Sequence, residues 1–207
     1  MADQQINGPT VSEVSICNQA LTWLGQDIIT SLDDQSVTAQ WCRNNYPFIR
    51  DAVLQERNWT FATIRAVSET AEKDDWGTQW KHSIPPQFIS VFRVYRTVRF
   101  NGDKTRDPSW RREGEFILSD QSTIYLWGLG RLTDTSQMSP LFTQALATRI
   151  AAEGAVPFTE NRQLQTDLWA LYGDKLREAA ARDGQQGANE FVTQTQLVDS
   201  RYGGRAF

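Results

Sequence analysis

SIPPQFISVFRVYRTVRF, residues 83–100, opens on a Pro-Pro stop and continues as a run of β-branched and aromatic residues. A proline disfavours the helical region for the residue before it, so Ser83–Pro86 sets up an extended segment. Phe88, Ser90, Phe92 and Val94 then alternate with Ile89, Val91, Arg93 and Tyr95. That period of two is a strand signature. Before this stretch, TFATIRAVSE (60–69) alternates in part, and KDDWGTQW (73–80) is polar and turn-like. After it, NGDKTRDPSW (101–110) reads as a hairpin tip or a longer loop, and EFILSD (115–120) and STIYLWGLG (122–130) as two short strands. The expectation is one small antiparallel sheet of about four or five strands.

Outward from this sheet the period changes to that of helices. On the N-terminal side, Thr10 and Glu13 have capping-box spacing. Val11, Val14, Cys17, Leu21 and Leu24 recur at helical spacing, with Gly25 as the stop. Ser36 reads as the N-cap of a second helix with Val37, Trp41 and Cys42 on its apolar side. Pro47 interrupts it, as a kink or as the first residue of a fresh helix; Ile49, Val53 and Leu54 carry the apolar side on to Asn58. On the C-terminal side, Ser139-Pro140 starts a helix with Leu141, Phe142, Ala145, Leu146, Ile150 and Ala151 along one stripe, ending at Val156-Pro157. Thr159 reads as the cap of a last helix from Glu160 to Asp183, with Leu164, Leu168, Leu171, Tyr172, Leu176 and Ala179 inside and Gly184 and Gly187 as its stop.

The fold expected is α+β. A helical bundle forms from the N-terminal part (1–58) and the C-terminal part (134–187), a small antiparallel β domain (59–133) is inserted, and 188–207 is an extended tail.

Composition narrows the function. The chain has 207 residues, 40% hydrophobic and 22% charged, which suits a packed globular core. A net charge of −4 argues against a dedicated nucleic-acid binder, which needs a cationic surplus. Eight tryptophans and ten phenylalanines are many for this length; most belong in cores, and Trp80, Trp110 and Trp127 are candidates for an interface. Cys17 and Cys42, both in helical patterns, read as small buried apolar groups of a reducing compartment. MADQQINGPT (1–10) has no basic-then-apolar leader pattern, and no run reaches the length of a membrane span, so no membrane partner is expected.

Catalytic patterns are weak. His82 is the single histidine, lies between Lys81 and Ser83, and has no nucleophile elbow to serve. GLGRLT (128–133) lacks the glycine spacing of a nucleotide loop. One histidine and two separated cysteines do not make a zinc site, and Asp33-Asp34 and Asp74-Asp75 lack calcium-loop spacing. No cofactor and no catalytic residue is assigned. Two other functions stay open: a polysaccharide hydrolase working through paired carboxylates, and a DNA-packaging or DNA-binding factor.

Charge is unevenly distributed. Between Gln87 and Gly114 seven cationic side chains face three carboxylates, a surplus of four in an acidic chain. This is either a solvated, charge-guarded sheet edge or a contact with an acidic neighbour or passing DNA. Arg93, Arg96, Arg99 and Trp110 are the candidate subunit-interface residues. Phe191, Leu197, Tyr202 and Phe207, with Arg201 and Arg205, stand in a tail without a core of its own. They are the candidate partner-binding residues, to be laid on a partner's sheet edge; the alternative is a disordered end.

Several stretches together resemble the tail tubular protein A family of podoviruses, the adaptors or gatekeepers of the phage head-to-tail connector. They are CNQALTWLGQDIITSLDD (17–34) leading to YPFIRDAVLQERNWTFA (46–62), with Tyr46-Pro47 inside the second helix and Trp59-x-Phe61-Ala62 at its exit; SIPPQFISVFRVY (83–95) with Pro85, Phe88 and Tyr95; and the paired helices of 139–187. The likeness spans 11–187 and leaves out 97–115 and 188–207. It implies a ring of identical copies, typically twelve, between the portal protein and the tail nozzle. Viral DNA would pass through the channel, with no cofactor and no required catalysis, in the virion tail.

Overall fold

The computed structural model describes residues 11–69, 72–73, 77, 79–98 and 104–186. It is mixed helix and sheet, α+β, with helices at both ends of the chain and strands between.

The first helix, α1 (Glu13–Trp23), is capped two residues later than the sequence spacing suggests. Ser12 is extended and its hydroxyl accepts from Ser15 N, while Ser12 N donates back to Ser15 Oγ at 2.8 Å. The capping box is therefore Ser12/Ser15, and Thr10 lies outside the described residues. Gly25, at φ 64°, takes the left-handed turn that stops the helix. Helix α2 (Val37–Gln55) starts on the expected cap, Ser36, and runs through Pro47 as one element. A mid-helix proline costs about 3 kcal/mol. Burial of Cys42, Tyr46, Ile49, Val53 and Leu54 on one side of the same helix outweighs it.

Among the described residues eight strands follow: β1 (Thr63–Ser68), β2 (Glu72–Lys73), β3 (Trp80–Ser83), β4 (Phe88–Val98), β5 (Lys104–Arg106), β6 (Arg111–Glu113), β7 (Phe116–Ser119) and β8 (Ile124–Gly130). They form two antiparallel sheets of four strands, ordered β1-β8-β4-β5 and β2-β3-β7-β6, not one sheet of four or five. The extra strands are two to four residues long and lie in segments rich in turn residues, too short to display a period. Between the sheets sit Phe88, Val94, Ile117, Ile124 and Leu126, with Ile64, Ala66, Val91 and Trp110 packed against them.

The regular alternation expected of β4 is broken twice where it pairs with β8, and once more between Tyr95 and Thr97 against β5. Register shifts between Phe88 and Ser90 and between Val91 and Arg93 each flip the following side chains. Phe88, Val91 and Val94 thus share the inter-sheet core, while Ile89 and Phe92 pack on the helical core. The bulged strand passes close to β8: a Cβ at Gly128 would lie 2.1 Å from the Ser90 carbonyl oxygen and 2.9 Å from Val91 Cα. Only glycine admits that approach.

After a single 3-10 turn (Thr135–Gln137), helix α3 (Pro140–Thr159) begins on the expected Ser139 cap. It continues past Val156-Pro157 instead of stopping there. Glu160, in the left-handed region at φ 54°, ends it, and Asn161, not Thr159, caps helix α4 (Arg162–Gly184) by accepting from Leu164 N at 3.0 Å. Thr159 instead donates back to Ala155 O, within its own helix.

Side chains of α1, α2, α3 and α4 share one buried core. Ala145, Ala147, Ala151, Ala152 and Ala155 give α3 a small-residue surface that lets its neighbours approach closely. Trp59, Ala62 and Leu129, at the sheet's roots, belong to this core and not to the sheets' own. Trp59 is fully buried, meets Phe142 edge to face at 5.1 Å, and donates from its indole nitrogen to Val53 O. The far end of α4 is tied to the same place: the Asp183 carboxylate accepts from Thr60 N at 2.8 Å and from the Thr60 hydroxyl at 2.6 Å. A second tie is Arg149, which contacts Glu153 and Glu56 and lies over the rings of Trp169 and Tyr172; the Tyr172 hydroxyl donates to Glu56 at 2.7 Å. Cys17 and Cys42 are buried, free thiols in this core. Their mutual hydrogen bond, and then burial, push the Cys17 thiol up, so it stays protonated and inert.

Candidate interaction surface

The cationic stretch does not assemble on one surface. The bulges of β4 put Arg93 beside Trp127 on the face of the first sheet that turns away from the second. Arg96 instead acts on the Asp107 carboxyl. Arg111 pairs with Glu113 at 2.8 Å, and Arg112 donates to Gly114 O. Trp110 is half-buried against the inter-sheet core. Arg99 lies outside the described residues, as do all six tail residues, Phe191, Leu197, Arg201, Tyr202, Arg205 and Phe207.

What Arg93 joins is a row that contains Trp127, an interface candidate from the sequence, and Arg65, which the sequence did not single out. Arg65 on β1 and Arg93 on β4 are both register partners of Trp127 on β8. Their guanidinium carbons lie 4.9 Å and 5.2 Å from the Trp127 ring centre. The next row along the same face is Val67, Tyr125, Tyr95 and Arg106. Tyr95 stacks on Trp127 at 6.1 Å, and Val67 is 50% exposed, high for a large apolar side chain. The strand residues of these two rows include three arginines and no carboxylate. Between the rows is a groove of about 250 Å3, lined by Arg65, Val67, Tyr95, Tyr125 and Trp127 among others. It is mainly apolar with a cationic rim, chemistry that fits an apolar side chain carried next to a carboxylate. The signal was there in part: the alternation of TIRAVS and IYLWGLG puts Arg65, Val67, Tyr125 and Trp127 on one face once the two strands are known to pair.

Other polar groups are committed to holding the sheets. His82 is fully buried on β3. Its Nε2 faces the Gln121 carbonyl oxygen at 2.8 Å, and Nδ1 lies 3.0 Å from Ser68 Oγ. A carbonyl only accepts, so Nε2 carries the proton, and a neutral ring then accepts from Ser68. Asp107 is buried and accepts from Ser109 N, Ser109 Oγ and Ser119 Oγ. Burial by itself pushes its carboxyl up, but these hydrogen bonds and the Arg96 charge prevail and hold it below the usual carboxylate value. Ser109 Oγ also reaches Asp120 at 2.9 Å, bringing two carboxylates close together. A glycosidase acid needs a raised value. Asp107 is shifted the other way, and neither carboxylate lines the groove.

Among the described residues no group of three His, Cys, Asp or Glu could hold a metal ion, and no helix is long and apolar enough to cross a membrane. No protein-family model matches the chain, and no curated protein matches it.

Proposed function

We propose that the chain is a structural, non-catalytic subunit of a tailed-phage head-to-tail connector. Identical copies close into a ring in the virion tail, bound to the portal protein on one side and the tail nozzle on the other, with viral DNA passing through. In this reading the helices of both chain ends form the bundle, the strands project from it as an inserted domain, and residues 188–207 reach the portal. The observation that carries it is that α1, α2, α3 and α4 share one core although all eight strands come between them in sequence. That is the organisation the resemblance implies. A ring also needs two different complementary patches on each subunit. The cationic, aromatic face of the first sheet is one such patch in a chain of net charge −4.

The test is mass measurement of the purified chain alone and mixed with the portal protein of its phage. A closed oligomer on the portal is the expected result. A free monomer is compatible, because a portal can template the ring; a strict monomer under both conditions overturns the reading. Deleting residues 188–207 leaves the subunit folded and weakens portal docking in this reading. Unchanged docking would remove the tail from it.

A further inference from the structure

We propose that the groove on the outer face of the first sheet receives the Asp27–Ile28 turn of a second copy of this chain, Ile28 filling the groove and Asp27 pairing with Arg65. The proposal rests on the ring reading and names the contact through which neighbours would hold each other.

The argument begins with what the groove selects. Its walls are Val67, Tyr95, Tyr125 and Trp127, and Arg65 stands at its edge with no ion pair among the described residues. Burying an aliphatic side chain there gains the usual apolar transfer energy, and a carboxylate beside it would meet a guanidinium already oriented by the Trp127 ring. Double-stranded DNA fits poorly, since a phosphate backbone seeks a polar cationic track and not an aromatic-lined pit.

The same chain carries a matching element. Large apolar side chains exposed among the described residues are Trp23, Ile28, Val37, Phe48, Val67, Trp169 and Leu171. Most have no spare carboxylate beside them. Asp51, one turn from Phe48, is held by Arg50 and Arg131. Asp33, near Val37, faces Arg43, and Asp34 is taken up by Thr30 and Ser31. Asp167 accepts from Gln163, and Asp174 is engaged by Arg177. Asp27 is exposed, makes no ion pair or hydrogen bond among the described residues, and adjoins Ile28, which is 68% exposed.

The turn is also preorganised. Asn18 clamps the next residue from both sides: Ile29 N donates to Asn18 Oδ1 at 2.8 Å and Asn18 Nδ2 donates to Ile29 O at 2.9 Å. Ile29 points into the core, so Ile28 is held outward. Little chain entropy remains to be lost on docking, which favours a specific contact. Because turn and groove are different parts of the chain, the contact is head-to-tail, the kind that closes a ring when the rotation permits.

The test is a charge exchange on the full chain, with association measured by sedimentation and by assembly on portal. Asp27→Arg and Arg65→Glu should each weaken association about tenfold, as loss of a charge pair at an interface does, and the double variant should recover most of that loss. Thermal melts control for folding. As an independent readout, a chain carrying Ile28→Cys is mixed with one carrying Val67→Cys, allowed to assemble on portal, and treated with a short bis-maleimide. Cys17 and Cys42 are buried, so cross-linked dimer is expected in the mixture and not in either chain alone. Rings that assemble regardless of both reversals, or a mixture that gives no cross-link, overturn this contact and leave the ring reading standing. A wild-type chain that never assembles, even with portal, overturns both.

Discussion

Where the four helices meet, twenty-eight apolar or aromatic side chains are buried; between the two sheets, among the described residues, there are five. The helical core closes mainly by packing, with alanines of α3 letting Leu21, Leu54, Phe142 and Leu146 interdigitate. The sheets cannot bury enough apolar surface to close the same way. They are completed by buried polar residues, namely Ser68, His82, Asp107 and Ser119, each with a hydrogen-bond partner. Packing tolerates a change of pH. A hydrogen-bonded carboxylate does not; each half holds a buried one, Asp183 at the end of α4 and Asp107 in the sheets, but the sheets have far less packing beside theirs.

The largest effect should come from the helical side. Phe142→Ala removes a ring that meets both Trp59 and Phe61 edge to face at 5.1 Å, and should cost about 4 kcal/mol in denaturant unfolding. Next is Gly128→Ala. The added Cβ collides with the backbone of bulged β4, and a loss of about 3 kcal/mol is expected, at the upper end for overpacking because backbone must move. The third probes the polar closure. Ser119→Ala removes a hydrogen bond to buried Asp107 and should cost about 2 kcal/mol at neutral pH. The Asp107 carboxyl lies below its unfolded value, so its stabilisation is complete above about pH 4 and is lost as pH falls through the folded value. Protection of β7 amides, taken relative to their intrinsic exchange rate at each pH, should therefore fall on acidification in the wild type, less so in Ser119→Ala, while that of α3 amides holds. The smallest effect has the opposite sign. The Tyr46 hydroxyl is buried in the helical core without a hydrogen-bond partner among the described residues, and Tyr46→Phe should stabilise by about 1 kcal/mol in the same unfolding assay.

The same contrast governs how much could be read from the sequence. The helices were legible because burial on one side of a helix imposes a period: Cys17 and Leu21 on α1 with Leu24 at its C-cap, and Phe142, Ala145, Leu146 and Ile150 on α3, all lie in the core. Two caps misled by two residues each, since Thr10 and Thr159 are also N-cap residue types, and only backbone conformation decides. In the sheets the period is cut short. Strands of two to four residues show none, and the bulges in β4 reset it within a single strand. The interaction surface suffered most. Arg93 was visible as part of a cationic run, but its neighbours Arg65 and Trp127 are brought to it by pairing across β1, β8 and β4. Register between distant strands leaves no local trace in any one of them.

The tie between Thr60 and Asp183 carries a kinetic consequence. It joins residues 123 apart, so it closes a long loop around all the described strands and both later helices. Such a contact is expensive to form early, because the whole intervening chain must first be brought into place. It belongs to the last stage of folding and acts afterwards as a latch. Its strength sets how slowly the assembled subunit comes apart, and scarcely affects how quickly it forms.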